Sequence, residues 1–329
     1  MEKLITTLRG DIEDLYTFGI IVVSDSSGKI IYHKGDCDKI AYPRSSFKLM
    51  QAMTPLSLNA KELFNLNEKE IAIISASHSG EDFHIETVLN LLEKINLDES
   101  YLKCGAHYPF KEEVSLKMKL EGIECTDIHN NCSGKHVGML MSAKILNAPL
   151  NNYYELKNPV QQKIRDILET ICETKIPDSS ISVDGCGVPV HALSMRAFAH
   201  GMAKMADFQK LPDELAIHAK EITNAITKYP QYASGTDRID YKIISKYPKD
   251  IIVKSGANGY FGGYLPKQKL GFAIKTFDGI TDTRNIILVE LLKKLDIIKE
   301  SDYDYFDEIA PKDIKNHRKE KVGKHIVSI

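Results

Sequence analysis

The sequence predicts an α+β fold in which one antiparallel sheet is assembled from both ends of the chain and packed with a helical segment. Three observations carry this. β-rich runs lie near the N-terminus, at residues 18–24 (FGIIVVS) and 29–33 (KIIYH), and three more fall between residues 251 and 275. Most of the chain between them shows apolar residues at helical spacing. Strict strand–helix alternation is absent, which argues against a doubly wound parallel sheet. The expected organisation is a single catalytic unit over residues 1–329, with a sheet subdomain from about 1–40 and 250–329 and a mainly helical segment over about 44–230.

Taken in order, the first two runs read as a hairpin closed by Asp25-Ser26-Ser27-Gly28. Pro43 followed by serine marks a helix entrance, and Phe47, Met50, Met53 and Leu56 supply its apolar stripe. A short helical piece is expected at 61–64. The buried run 71–77 reads as an apolar strand emptying into His78-Ser79-Gly80. Helices are expected over 82–95, 112–121, 137–146 and 159–173, the last with proline near its first position. A short strand at 181–184 precedes helices over 190–205 and 213–227. Strands at 251–254, 260–265 and 270–275 then lead to a final helix over 280–295.

Composition narrows the function. The 329 residues are 43% hydrophobic and 27% charged, ordinary for a globular chain, and the formal charge of −2 argues against a nucleic-acid binder. No run approaches the ~18 apolar residues of a membrane span. Acids stand where a signal peptide would have its apolar segment, so a cytoplasmic protein with no membrane partner is expected. The six cysteines are too sparse for a disulfide framework and fit reduced thiols or metal ligands.

Five stretches carry chemistry. Three Ser-x-x-Lys pairs occur, and only Ser45/Lys48 opens an amphipathic helix. Residues three apart share a helix face, so the lysine can serve as the base that a serine nucleophile needs. The plainer reading is a serine N-cap beside a surface lysine. Ser75-Ala76-Ser77-His78-Ser79-Gly80 gathers hydroxyls and an imidazole in one turn, which could equally be a helix cap. The stretch 130–136 (NNCSGKH) opens a helix whose amides could hold a substrate carboxylate. It is not a phosphate loop, because position 129 is His where that motif needs glycine. Cys132 and Cys186, the latter between two glycines, could share a soft metal such as zinc, or be two buried thiols. Lys254-Ser255-Gly256 closes a late strand. Its order after Ser-x-x-Lys is that of the serine penicillin-recognising enzymes.

Together, YPRSSFK at 42–48, SASH at 75–78, CSGKH at 132–136, DGCGVP at 184–189, KSG at 254–256 and GFAIKTFDG at 271–279 resemble the L-asparaginase II family of the Rhizobium etli type, over roughly residues 7–323. The resemblance implies a fold similar to serine β-lactamases and serine-dependent glutaminases, and hydrolysis of L-asparagine to L-aspartate and ammonia, usually in a homodimer. It also implies two Ser/Lys tandems, Ser45 with Lys48 and Ser77 with Lys254. The family's zinc ligands map to Cys132, Lys135 and Cys186, with Asp184 close by. One position departs from the pattern. Asp240 stands where members can carry a further cysteine, and it could offer an oxygen ligand instead.

On this reading Lys48 takes the proton of Ser45, which attacks the side-chain amide, while Ser77 with Lys254 relays protons or activates water. The reverse assignment, with Ser77 as nucleophile, stays open. Arg44 and His136 are expected to hold the substrate's carboxylate and polar groups, with Asp184 lining the same site. Two alternatives remain. Another Ser-x-x-Lys amide hydrolase, such as a glutaminase or a β-lactam-binding enzyme, would share Ser45 and Lys48. A non-catalytic zinc or amino-acid binding protein would keep Cys132 and Cys186 while hydrolysing nothing.

Overall fold

The computed structural model describes residues 1–329. It divides into two compact units: residues 1–46, 194–206 and 253–329, and residues 47–193 with 207–252.

The first unit is organised on an eight-stranded sheet. Its spatial order is Asp313–Lys315, Lys321–Val327, Glu2–Arg9, Ile12–Asp25, Leu270–Thr276, Tyr260–Leu265 and Ile252–Ser255, with Ile30–Lys34 also paired to Ile12–Asp25. The expected hairpin between residues 18–24 and 29–33 forms, and the Ile12–Asp25 strand also pairs antiparallel with Leu270–Thr276. N-terminal and C-terminal strands therefore do build one sheet. Ile20, Ile21, Val22 and Val23 are fully buried, as β-branched residues are in a strand covered on both faces.

Alternate residues of a strand point to opposite faces, and this places the two covering helices. Phe198 of helix Met195–Ala206 lies against Gly262, and the backbone around Ala199–Ala203 lies against Gly271. Register pairs Gly262 with Ala273 and Gly271 with Tyr264, so these four residues share a face. Phe261 points the other way, where the Arg284 guanidinium of helix Thr281–Lys294 sits 4.4 Å from its ring centroid.

Three strands of this sheet escape the sequence reading: Glu2–Arg9, Asp313–Lys315 and Lys321–Val327. The last, KVGKHIV, carries lysines where an alternating strand would show apolar residues. Its partner Glu2–Arg9 lies at the other end of the chain, with Ile5 opposite Val327. Nothing local announces a pairing of that range.

The second unit is helical around Ser133–Ile145, whose residues from Ser133 to Ala143 are all buried. The run 71–77 is a correction: residues Glu68–Ile74 form a helix, not a strand. Asn67 starts it with a capping box, its side chain accepting from the Lys69 and Glu70 amides while the Glu70 carboxylate accepts from the Asn67 amide. The helix packs against Ser133–Ile145, Asp82–Lys94 and Asp213–Lys228. Buried from Glu70 to Ile74, it shows the same unbroken apolar run over 71–74 as a buried strand. The helix expected over 190–205 is also corrected. Pro189–His191 pairs antiparallel with Ile181–Val183, and the helix proper is Met195–Ala206.

A side chain at Gly271 would meet the main chain of helix Met195–Ala206, which cannot swing aside as a side chain can. Gly271→Ala is expected to cost about 3 kcal/mol of unfolding free energy in a denaturant titration, through overpacking. Gly10 sits in a left-handed turn with nothing within 4 Å of its missing Cβ, so Gly10→Asn should leave the midpoint nearly unchanged.

Candidate active site

In the helical unit the site begins with Lys48, which opens helix Lys48–Gln51 and is 1% exposed. Its ammonium donates to the Ala76 carbonyl at 2.7 Å, to Ser77 Oγ at 2.9 Å and to Cys132 Sγ at 3.1 Å. An ammonium has three N–H bonds, and these three partners use them all. They come from two further segments: the extended stretch that follows helix Glu68–Ile74, and the turn that starts helix Ser133–Ile145.

The extended stretch is pinned in place. The Ser77 amide donates to the Ala233 carbonyl at 3.2 Å, and the His78 amide to the Asn131 carbonyl at 3.1 Å. His78 Nδ1 accepts from the Gly80 amide, so its Nε2 carries the proton and donates to Ser133 Oγ at 2.8 Å. Burial holds His78 well below the ordinary histidine value and keeps it neutral. His78 therefore ties the Ser77 segment to the helix that carries Cys132 and Lys135.

A second cluster follows. Cys186 is carried by the tight turn of the hairpin Ile181–Val183/Pro189–His191, in which Gly187 takes φ +82°. Lys135 Nζ donates to Cys186 Sγ at 2.9 Å. The hydrogen bond between the two sulfurs pushes the Cys132 thiol up, with burial adding to it. The same bond, together with the Lys135 and Lys48 charges, holds Cys186 well below the usual thiol value in spite of burial. Burial pulls the Lys135 ammonium down, and the two sulfurs more than reverse this. The cluster is thus an ammonium–thiolate pair with a neutral thiol beside it. Asp184 heads the same turn, its carboxylate accepting from the Gly185 amide at 2.8 Å.

Two sulfurs and an amine converging out of water are a donor set that suits zinc. The 2.9 Å contact is a hydrogen-bond length, whereas ligands sharing a tetrahedral zinc stand about 3.6 Å apart, so the pair would open to admit the ion. No group of three or more His, Cys, Asp or Glu side chains gathers anywhere in the chain. Asp240 is buried on helix Ile239–Lys246.

His136 is fully buried beside these groups. The Lys103 amide donates to Tyr153 Oη at 3.0 Å, so the phenol proton goes to His136 Nδ1 at 2.6 Å. Burial, with Lys135 next, pulls His136 down to about 3. Its proton is then on Nε2, a buried donor without a partner. Tyr153 is a contributor that no sequence motif marks, and Ser133 lies within NNCSGKH without a role assigned to it there.

In the sheet unit, Arg44 takes φ +54°, a left-handed conformation that costs a non-glycine residue about 1–3 kcal/mol and often marks a functional turn. Residues Arg44–Phe47 form a 3₁₀ turn, where the α-helix expected at Ser45 begins only at Lys48. Lys254 is 2% exposed on strand Ile252–Ser255, its Nζ donating to the Ser255 carbonyl at 3.2 Å.

By class the chain is an amidohydrolase, since the family model that matches it, over residues 5–327, is that of L-asparaginase II. It belongs to the L-asparaginase II family. The comparison with curated proteins returned no match. Among solved structures it is similar to a class D β-lactamase from Fusobacterium nucleatum subsp. polymorphum, at 15% identity over 86% of this chain and 94% of that one, with a TM-score of 0.44. A β-lactamase from Mycobacterium bovis matches at 12% identity over 84% and 94%, TM-score 0.40. The protein Mglu matches at 14% identity over 85% and 67%, TM-score 0.38. At those scores the likeness is distant, and the architecture stands on the strand order and the family match. No helix is long and apolar enough to cross a membrane.

The helical unit also predicts an acid sensitivity. His84 is buried, accepts the Glu81 amide on Nδ1, donates to the Gln231 carbonyl from Nε2, and is pulled by burial to about 4 although Glu81 and Asp237 oppose this. Its folded value lies below the unfolded ~6.5, so the unfolded chain binds the proton first. Its contribution is complete above about pH 6.5 and is lost as pH falls toward 4, roughly 3 kcal/mol in all. His191, also pulled to about 4 by burial, acts in the same direction. Denaturant midpoints should drop steeply from pH 7 to pH 4.5, and His84→Gln should show a shallower drop.

Proposed function

We propose that this chain hydrolyses the side-chain amide of L-asparagine through a serine acyl-enzyme. The observation that carries the reading is the buried Lys48–Ser77 contact at 2.9 Å. A serine hydroxyl is a weak nucleophile, and a lysine within hydrogen-bond reach can take its proton only as a neutral amine, so Lys48 enters the reaction after giving up the proton it holds as an ammonium. As the oxygen bonds to the amide carbon, the serine proton passes to Lys48 and then to the leaving nitrogen, which departs as ammonia. Water adds to the β-aspartyl ester carbonyl and gives a proton to the lysine, which passes it to Ser77 Oγ as the ester bond breaks and aspartate leaves. The contact favours Ser77 as nucleophile, which leaves Ser45 and Lys254 to move protons. The rival reading, from the sequence resemblance, gives the attack to Ser45 with Lys48 as base and leaves Ser77 with Lys254 to move protons.

Arg44, Asp184 and His136 are the proposed holders of substrate polar groups. His136 is supported by its buried, unpartnered Nε2–H, which suits a carboxylate or carbonyl oxygen. Zinc is proposed at Cys132, Lys135 and Cys186, where it would supply a fixed positive charge that orders the pocket. Asparagine is preferred to glutamine on family grounds, and one methylene is worth only ~1–3 kcal/mol of discrimination.

Ammonia release from L-asparagine and L-glutamine tests the reading. Ser77→Ala should reduce kcat at least ~10³-fold and abolish the aspartyl adduct seen by mass spectrometry after acid quench. An adduct that persists in Ser77→Ala and disappears in Ser45→Ala would move the nucleophile to Ser45. No ammonia from either substrate would sink the hydrolase and favour a binding protein. Metal analysis should give one zinc per chain, lost in Cys132→Ser and Cys186→Ser. A zinc-free wild type at full activity would remove the metal from the proposal.

A further inference from the structure

Two side chains outside the catalytic and metal sets grip the strand end that carries Lys254. Ser46 is fully buried, and its hydroxyl donates to the Lys254 carbonyl at 2.8 Å. On the C-terminal side, Arg284 Nη1 donates to the Gly256 carbonyl at 2.7 Å. The guanidinium is 5% exposed and rests on the Phe261 ring, which fixes its plane. A side chain at Gly256 would meet the Pro43 carbonyl and Ser46 Oγ, so the backbone of the Pro43–Ser46 turn and of the Lys254–Gly256 strand end lie in direct contact.

We infer that Ser46 and Arg284 are positioning residues for amide hydrolysis, clasping Lys254-Ser255-Gly256 against the turn that holds Arg44 and Ser45. This rests on the reading in which Ser45 and Lys254 serve that reaction. The geometry follows from hydrogen-bond bookkeeping. Strand Tyr260–Leu265 follows closely, and the Gly256 amide is taken by the Tyr260 carbonyl at 2.9 Å. The carbonyls of Lys254 and Gly256 each take a side-chain partner from outside the sheet, and a buried carbonyl that loses its donor is costly. Ser46 and Arg284 are those partners. A charged donor to a carbonyl is stronger and more directional than a neutral one, so Arg284 sets the angle at which the chain leaves the strand. Ser46 adjoins Ser45, so its bond transmits that angle directly to the Ser45 turn. The left-handed Arg44 immediately before them is strain that such a clasp can hold.

The test uses the full chain with Ser46→Ala, Arg284→Gln and the double variant. Steady-state kinetics on L-asparagine is run well below each variant's melting midpoint, and hydrogen exchange is followed at the Gly256 amide. Each single variant should lower kcat at least tenfold with KM within about threefold, the signature of misplacement rather than lost binding. Because both residues hold one strand end, the double variant should lose less than the product of the singles. Exchange at Gly256 should rise at least tenfold. Ser46→Ala removes a single oxygen and keeps the test alive if the Arg284 variants do not fold. Unchanged kcat with faster exchange would overturn the positioning role. Unchanged exchange would overturn the clasp itself. An inactive wild type whose variants exchange faster would sink the hydrolase reading, and the catalytic role with it, while leaving the clasp as structure.

Discussion

The helical unit depends on one constraint, the burial of the Lys48 ammonium. A charge removed from water is costly unless each of its N–H bonds ends on an acceptor, and removing a partner from a buried charge costs on the order of 3–5 kcal/mol. Its acceptors are Ala76, Ser77 and Cys132. Three segments must therefore meet at one point: the start of helix Lys48–Gln51, the stretch after helix Glu68–Ile74, and the turn before helix Ser133–Ile145. Gly134 makes the approach possible, because a side chain there would strike the Ile73 carbonyl. The Asn67 capping box fixes where helix Glu68–Ile74 begins, and so where Ser77 falls.

The reactive turns were legible in the sequence because their chemistry needs residues that stand out: serine, lysine, cysteine and glycine in short strings. Lys48, Ser77, Cys132, Lys135 and Cys186 all lie within such strings and come together in one unit. The residues that orient them were not legible. Tyr153 fixes the His136 tautomer from within NNYYEL, a stretch with no motif. Ser133 lies inside CSGKH, but nothing in that string marks it as the partner of His78, and Arg284 reaches Gly256 from a helix whose apolar pattern suggests only packing. Each acts across a sequence distance that no local pattern encodes.

The fold shows the same division. The hairpin at 18–33, the strands between 252 and 276, and the helices Asp82–Lys94, Pro159–Cys172, Asp213–Lys228 and Thr281–Lys294 each carry their own periodicity, caps or turn residues. The misreading of 71–77 has a definite cause. A helix of seven residues whose last five are buried offers no polar face over 71–74 from which a 3.6-residue period could be read. The outer strands were missed for the opposite reason. Lysines interrupt them, Thr6 and Thr7 are polar although buried, and only pairing between the two ends of the chain makes them strands.

The choice of lysine beside two cysteines can be argued from charge. As the cluster stands, an ammonium on Lys135, a thiolate on Cys186 and a thiol on Cys132 sum to zero. On the proposed zinc reading, a divalent cation, two thiolates and a neutral amine also sum to zero. Two protons leave as two positive charges arrive, so this buried cluster carries no net charge in either state. A third cysteine in place of Lys135 would make the zinc form an anion and would remove the ammonium in contact with the Cys186 thiolate when no metal is held. A low-dielectric interior penalises both conditions. A lysine ligand gives up some affinity, because its own proton must be displaced. In return, the pocket keeps its electrostatic balance, and with it the fold around Lys48, whether or not an ion is present.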